Sequence, residues 1–179
     1  MNSELSSDMS PILRELEKKS QIVTRFANCF TDHRDARYIE HKVGELIGQR
    51  VYGLVLGYED LNDHEELRVD PLLAMLVGKE DLTGKDRKQG DDQGKAMSGK
   101  STLNRLELYS DDPSKNGRYK KISSDAQAID NLLVTYYLEQ EKAVPQWIVL
   151  DLDVTDDLIH GKQEGRFFHG YYGNYCYLP

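Results

Sequence analysis

The stretch Trp147-Ile148-Val149-Leu150-Asp151-Leu152-Asp153-Val154 decides how the whole chain is read. Its β-branched and aromatic residues predict a strand. Side chains alternate across a strand, so Ile148, Leu150 and Leu152 share one face, and Val149, Asp151 and Asp153 share the other. Two carboxylates on one face of an otherwise apolar strand carry a desolvation cost. A metal ion, a hydrogen-bond network or solvent at the strand's end must offset it. The spacing alone leaves two readings open: a metal site, or acids at a solvated strand end that cap the following turn. His160, Glu164 and His169 lie downstream, but their spacing matches no zinc pattern, and ordinary loop roles account for them.

After this strand, Phe167 to Pro179 is rich in tyrosine and phenylalanine and predicts further strands. Before it the signals are helical. The first ten residues predict a polar, disordered start. Pro11 follows Ser10 at a helix N1 position, and Ile12, Leu13 and Leu16 fall on one side. A second short helix carries Ile22, Val23, Phe26 and Phe30, and the polar run Thr31-Asp32-His33-Arg34-Asp35 ends it. Ile39, Val43, Leu46, Ile47, Val51, Leu54 and Val55 recur at spacings of three and four, and Gly57 closes that helix. Two short helices follow, broken at Asp70-Pro71. Ser101 is placed to cap a helix with Leu103, Leu106 and Leu108. Ser124 is placed to cap a long one with Ile129, Leu132, Leu133, Tyr136 and Tyr137 inside, running to about Lys142. The fold class is therefore mixed α/β: a mainly helical region over 1–143, then a sheet beginning over 144–179.

Residues 79–100 interrupt this pattern. They are rich in Gly, Lys, Asp and Gln and predict an exposed, flexible loop. Within it, Gly94-Lys95-Ala96-Met97-Ser98-Gly99-Lys100-Ser101 fits the phosphate-loop pattern G-x-x-x-x-G-K-[ST] in full. Ile148-Val149-Leu150-Asp151 resembles the apolar strand and Asp that hold magnesium in such nucleotide hydrolases. That pattern works only where a buried strand feeds the loop, so that backbone N–H groups converge on phosphates. Asp86 to Gln93 cannot form such a strand, which needs near-continuous apolar residues. A glycine-lysine loop before a helix explains the same residues.

At 179 residues the chain can bury one sizeable core, or a helical module and part of a second domain. The net charge of −8 argues against a nucleic-acid partner at first. From Lys79 to Lys121, however, eleven Lys and Arg stand against eight Asp and Glu, a local +3 that permits DNA contact. A solvated, flexible loop explains the same residues, and composition alone favours the loop. Long apolar runs, a secretory signal and internal repeats are missing, which predicts a cytoplasmic protein without a membrane span. Cys29 and Cys176 form no metal or redox spacing.

A family resemblance covers most of the chain after about residue 30. Gln49-Arg50-Val51-Tyr52-Gly53-Leu54, running into Gly57-Tyr58-Glu59-Asp60-Leu61-Asn62-Asp63-His64, resembles the N-terminal signature of bacterial group-1 DDE insertion-sequence transposases. The similarity continues through Leu67-Arg68 and Asp70-Pro71-Leu72-Leu73-Ala74, and resumes at Ser101-Thr102-Leu103-Asn104-Arg105-Leu106-Glu107. It is strongest at Leu150-Asp151-Leu152-Asp153-Val154-Thr155-Asp156-Asp157, followed by His160-Gly161-Lys162-Gln163-Glu164 and Phe167-Phe168-His169-Gly170-Tyr171-Tyr172.

The resemblance implies an RNase H-like catalytic core beginning near residue 147. An Asp on the first strand of such a core is one of three acids that bind two Mg2+ ions for in-line phosphoryl transfer. By the family's D-x-T pattern Asp153 is the candidate first acid, with Asp151 on the same face as reserve. The implied partner is double-stranded DNA at transposon terminal inverted repeats, with the helical part binding those ends or assembling the protein on them by self-association. The expected location is the cytoplasm, on the nucleoid when DNA is bound. The family's second Asp and final Glu have no match in 158–179. The expectation is therefore a truncated chain with no cleavage or strand transfer of its own, or a DNA-binding regulatory remnant.

Overall fold

A computed structural model describes residues 3–88, 90–107, 121–149, 157–158, 161 and 165–177. The chain divides into two compact units, Met1–Gln140 and Glu141–Pro179.

The first unit is helical around one core. Helix α1 spans Ser3–Ser20, so it starts well before Pro11 and carries that proline inside it. The expected disordered start is corrected: the backbone is helical from Ser3, and losing one donor at Pro11 does not stop it. Of its predicted apolar stripe only Leu13 is buried, while Ile12 and Leu16 stay exposed. Gln21 ends α1 in the left-handed conformation at φ 52°. Helix α2 (Ile22–Ala27) then starts against Glu17, whose carboxylate accepts from Val23 N at 2.9 Å and Thr24 N at 3.0 Å.

Phe30 does not continue the helical stripe. It opens strand β1 (Phe30–Asp32), which pairs antiparallel with β2 (Ile122–Ser124) in the register Phe30↔Ser124 and Asp32↔Ile122. Ser124 accordingly lies in a strand and not at a helix start. Asp125 takes the capping role, accepting from Ala128 N at 3.0 Å to begin α7 (Ala126–Gln140). Only Leu132 of α7 is buried, and Leu133 and Tyr137 face solvent. A forked pair between Arg25 and Glu139, at 2.6 and 3.1 Å, ties α7 to α2.

The centre of the unit is α3 (Val43–Val55), which packs against α2 and against the helix over Pro71–Val77. Leu46, Ile47 and Tyr52 are its buried apolar residues, with Gln49 among them, whereas Leu54 and Val55 are about half exposed. Of the predicted stripe, Leu46 and Ile47 are buried and Val43 and Val51 pack on the core, whereas Leu54 and Val55 sit in the last turn, where α3 leaves the core, and Ile39 lies before the helix starts. Gly57 ends the helix at φ 89°, with Tyr58 N bonded to Gly53 O at 2.9 Å and Gly57 N to Leu54 O at 3.0 Å. This is the reciprocal C-terminal pattern that glycine permits. Helix α4 (His64–Leu67) and helix α5 (Pro71–Val77) follow as predicted, the second capped by Asp70, which accepts from Leu72 N at 2.8 Å and Leu73 N at 3.2 Å. Leu46, Leu67, Leu73, Ala74, Met97 and Leu103 fill the middle.

The loop over 79–100 is irregular apart from a 3-10 turn at Gly90–Asp92, but its exposure is corrected. Ala96, Met97 and Ser98 are at most 2% exposed and belong to the core. Composition counted few large apolar groups there; one methionine and small residues suffice because other side chains hold the loop in place. Asp81 organises its first turn, accepting from Thr83 N, Gly84 N and Asp86 N at 2.9–3.0 Å. Helix α6 (Lys100–Glu107) follows, with Leu103 and Leu106 buried.

The second unit holds a three-stranded antiparallel sheet in the order β3 (Asp157–Leu158), β5 (Asn174–Tyr177), β4 (Phe167–His169). Phe168 and Tyr175 face each other across β4 and β5 with ring centroids 5.2 Å apart. Cys176 is fully buried; it and Cys29 are both free thiols. The predicted strand from Trp147 needs correction. Residues 147–149 form no strand, with Trp147 89% and Val149 92% exposed. A β-prone sequence becomes a strand only when a neighbour takes its backbone hydrogen bonds, and none of the described residues does so here. Residues 150–156 lie outside the described residues.

Candidate nucleic-acid interface

Asp151 and Asp153, the predicted catalytic and metal-binding residues, lie outside the described residues, as do His160 and Glu164. His169 lies in β4, where its Nδ1 accepts from Tyr172 N at 3.4 Å and its ring stacks at a tilt on Tyr172. Among the described residues no three His, Cys, Asp or Glu side chains come together as a metal site.

The described chemistry is concentrated instead in the first unit, in a cleft of about 670 Å³ between the loop after β1, α4, the 79–100 loop and the start of α6. Five cations (Arg34, Arg68, Arg87, Lys100 and Arg105) line it against three carboxylates (Glu40, Glu65 and Asp92). Local structure holds each in place. Arg34 forks onto Asp32 at the end of β1, at 2.8 and 2.7 Å, and also donates to His41 O at 2.8 Å. Burial pushes the Asp32 carboxyl up, but hydrogen bonds from the Arg34 side chain and backbone outweigh it, and the carboxyl sits below its usual range.

Arg87 is the hinge-pin of the loop. It pairs with Glu40 and Asp92 at 3.0 Å each and donates to Lys95 O at 3.0 Å and Met97 O at 3.3 Å. Only 10% of its side chain is exposed. Asp92 passes the charge on to Arg68 at 2.7 Å, and Arg68 reaches Glu65 at 3.4 Å. An unbroken chain of alternating charges thus runs Glu40, Arg87, Asp92, Arg68, Glu65. Behind it Lys79 bonds Glu45 at 2.9 Å and His41 Nδ1 at 3.3 Å. Burial first, and then the positive charges of Lys79, Arg87, Arg34 and Arg68, push the His41 imidazole down to about 3, so it is neutral at pH 7.

The phosphate-loop match ends at this cleft, yet its amides are committed elsewhere. Gly94 N bonds Gly84 O, Lys95 N bonds Asp92 O and Met97 N bonds Arg68 O, at 3.0–3.1 Å. Ser98 N donates to Gln49 Oε1 at 3.1 Å, and Lys100 N to Glu65 Oε1 at 2.8 Å. A turn of 3-10 helix, not a buried strand, precedes the segment. A nucleotide cradle needs those N–H groups free and convergent. The rejection of the phosphate-loop reading therefore rests on geometry as well as composition.

Sequence reasoning missed this cleft, since its walls come from positions scattered between 34 and 105. The local positive charge from Lys79 onward was the one available signal, and Arg87, Lys100 and Arg105 belong to it.

The first unit is helical and carries a cleft lined by charges of both signs, and the second holds a small antiparallel sheet. The family model described as transposase DDE domain group 1 matches residues 3–179, and the chain belongs to that family. No curated protein and no solved structure matches the chain. No helix of the described residues is long and apolar enough to cross a membrane.

Proposed function

We propose that this chain takes part in cutting and joining DNA at transposon ends, with Asp153 as the first of the three carboxylates of the DDE set and Asp151 as its reserve. The observation that carries the reading is the family match across the chain, which includes the Asp153-Val154-Thr155 block that fits the D-x-T pattern. Mg2+, where bound, supplies activation of the attacking hydroxyl and stabilises the leaving oxygen. The RNase H-like architecture of 144–179 and the recognition of terminal inverted repeats by the helical unit belong to the same proposal. So does self-association on the DNA, and a place in the cytoplasm and on the nucleoid. No second Asp or final Glu of the family pattern is recognisable in 158–179, so cleavage requires carboxylates from outside this sequence.

A second reading, a DNA-binding regulator that competes for transposon ends, is favoured by the charged cleft in the first unit.

The test incubates the 179-residue chain with Mg2+ and duplexes carrying the terminal repeats. The expected result is salt-sensitive binding without nicking. Nicking that disappears in Asp153→Ala overturns the requirement for outside carboxylates. A failure to bind any duplex overturns both readings.

A further inference from the structure

The turn of the β4–β5 hairpin, Gly170-Tyr171-Tyr172-Gly173, holds two tyrosines out in solvent: Tyr171 is 85% exposed and Tyr172 57%. Local bonds set the turn. Gly173 N donates to His169 O at 2.8 Å, Tyr172 N donates to His169 Nδ1, and the rings of His169 and Tyr172 lie 4.7 Å apart. Tyr171 meets Tyr172 edge to face, with 4.9 Å between centroids and 88° between planes. The two rings therefore form a right-angled corner, backed by His169, in which most of Tyr171 is open.

The composition of the hairpin narrows what such a corner fits. Residues 165–177 contain no Val, Ile, Leu or Met, so they offer flat rings without the branched aliphatic surface of a packed protein interface. They also contain no Asp or Glu, in a chain of net charge −8, while the Arg166 guanidinium lies over the Tyr175 ring at 4.3 Å. Asp157, the carboxylate of the described strands, stands across from Tyr177, at the end of β5 away from the turn. Open rings beside a cation and clear of carboxylates suit a polyanion that carries π-faces of its own, which is a nucleic acid. Bases inside a duplex hide their faces against one another, so the base that such a corner takes is an unpaired one.

We propose that the β4–β5 turn is a binding site for an unpaired nucleobase of single-stranded DNA, stacked on Tyr171 within the corner that Tyr172 and His169 complete. The DNA source rests on the transposase reading; the stacking chemistry does not.

The test uses the full chain and two labelled probes of equal length, a thymidine oligonucleotide and an abasic strand with the same phosphates and no bases. The native chain is expected to bind the thymidine strand roughly tenfold more tightly. Tyr171→Ala is expected to lose most of that preference and Tyr171→Phe to keep it. Tyr171→Leu, which restores apolar bulk without a flat ring, is expected to resemble Tyr171→Ala. Equal binding of both probes by the native chain overturns the proposal, as does an unchanged preference in Tyr171→Ala or Tyr171→Leu. Nitration by tetranitromethane gives a readout without substitution: the thymidine strand is expected to protect Tyr171 and the abasic strand to leave it reactive, and equal nitration overturns the site. A terminal-repeat duplex run alongside separates the two failures. Duplex binding without a thymidine preference removes the stacking site and keeps the transposase reading. A thymidine preference lost in Tyr171→Ala, with no duplex bound, keeps the site and removes that reading.

Discussion

Gln49 and Ser98, 49 residues apart, hold each other through three hydrogen bonds: Ser98 Oγ and N donate to Gln49 Oε1 at 2.7 and 3.1 Å, and Gln49 Nε2 donates to Ser98 O at 2.9 Å. Both residues are 1% exposed, and the same Gln49 nitrogen lies 3.2 Å from His64 Nδ1. This ring fastens the end of the 79–100 loop to the middle of α3. Replacing Gln49 with Leu leaves the Ser98 amide, carbonyl and hydroxyl buried without partners, each worth about 1–3 kcal/mol. Urea unfolding of Gln49→Leu is expected to show a loss of about 3–5 kcal/mol, and Ser98→Ala only about 1 kcal/mol. Equal effects of the two would mean that the ring is not the fastening.

Arg87 makes a similar argument with charge. Its fork satisfies two carboxylates and two backbone carbonyls at once, a pattern that the three-pronged ammonium of lysine cannot copy. Arg87→Lys therefore destabilises the first unit by about 2 kcal/mol, and Arg87→Ala by about 3 kcal/mol or more, because buried charges are left uncompensated. Hydrogen exchange at the Lys95 and Met97 amides rises in both variants.

Gly84 sits at φ 68° with the backbone of Lys95 and Ala96 at 2.5–2.6 Å from where a Cβ would stand. No side chain fits there without moving main chain. Gly84→Ala is expected to cost about 2–3 kcal/mol, from overpacking and a positive φ together. Gly90→Ala, at a position with open space around it, is the matched control and changes stability by less than about 0.5 kcal/mol.

His41 sets a pH dependence. Its folded value of about 3 lies below the 6.5 of the unfolded chain. Between those limits the unfolded state binds more protons, so stability is complete above about pH 6.5 and falls as the pH drops toward 3. The full span amounts to about 5 kcal/mol at most. Subtracting the pH–stability profile of His41→Asn from that of the native chain isolates this slope. A flat difference between pH 6 and 4 would refute it.

The sequence made the helical elements legible where a stripe and a stop signal agreed. Asp70-Pro71 and Gly78 bracket α5, and Gly57 closes α3, each through a local hydrogen bond or a positive φ that needs no distant partner. What it hid depended on distant partners. Strand β1 is three residues long, too short for alternation to show, and exists because β2 supplies its bonds. The burial of Ala96, Met97 and Ser98 depends on Arg87 and Gln49, whose roles are invisible until the chain is folded. The cleft shows the same limit: its basic residues were countable, but the acids that position them, Asp32, Glu40 and Glu65, lie outside the positive segment. Family resemblance marked Asp153 and Asp151 by pattern, and those residues lie outside the described residues.

The pairing of Phe30 with Ser124 has a temporal side. The ribosome delivers β1 long before its partner, so the first unit cannot complete its small sheet until residue 124 has left the exit tunnel. Until then the nascent chain presents an open strand edge, the kind of surface that chaperones shield and that neighbouring polypeptides on a polysome can capture.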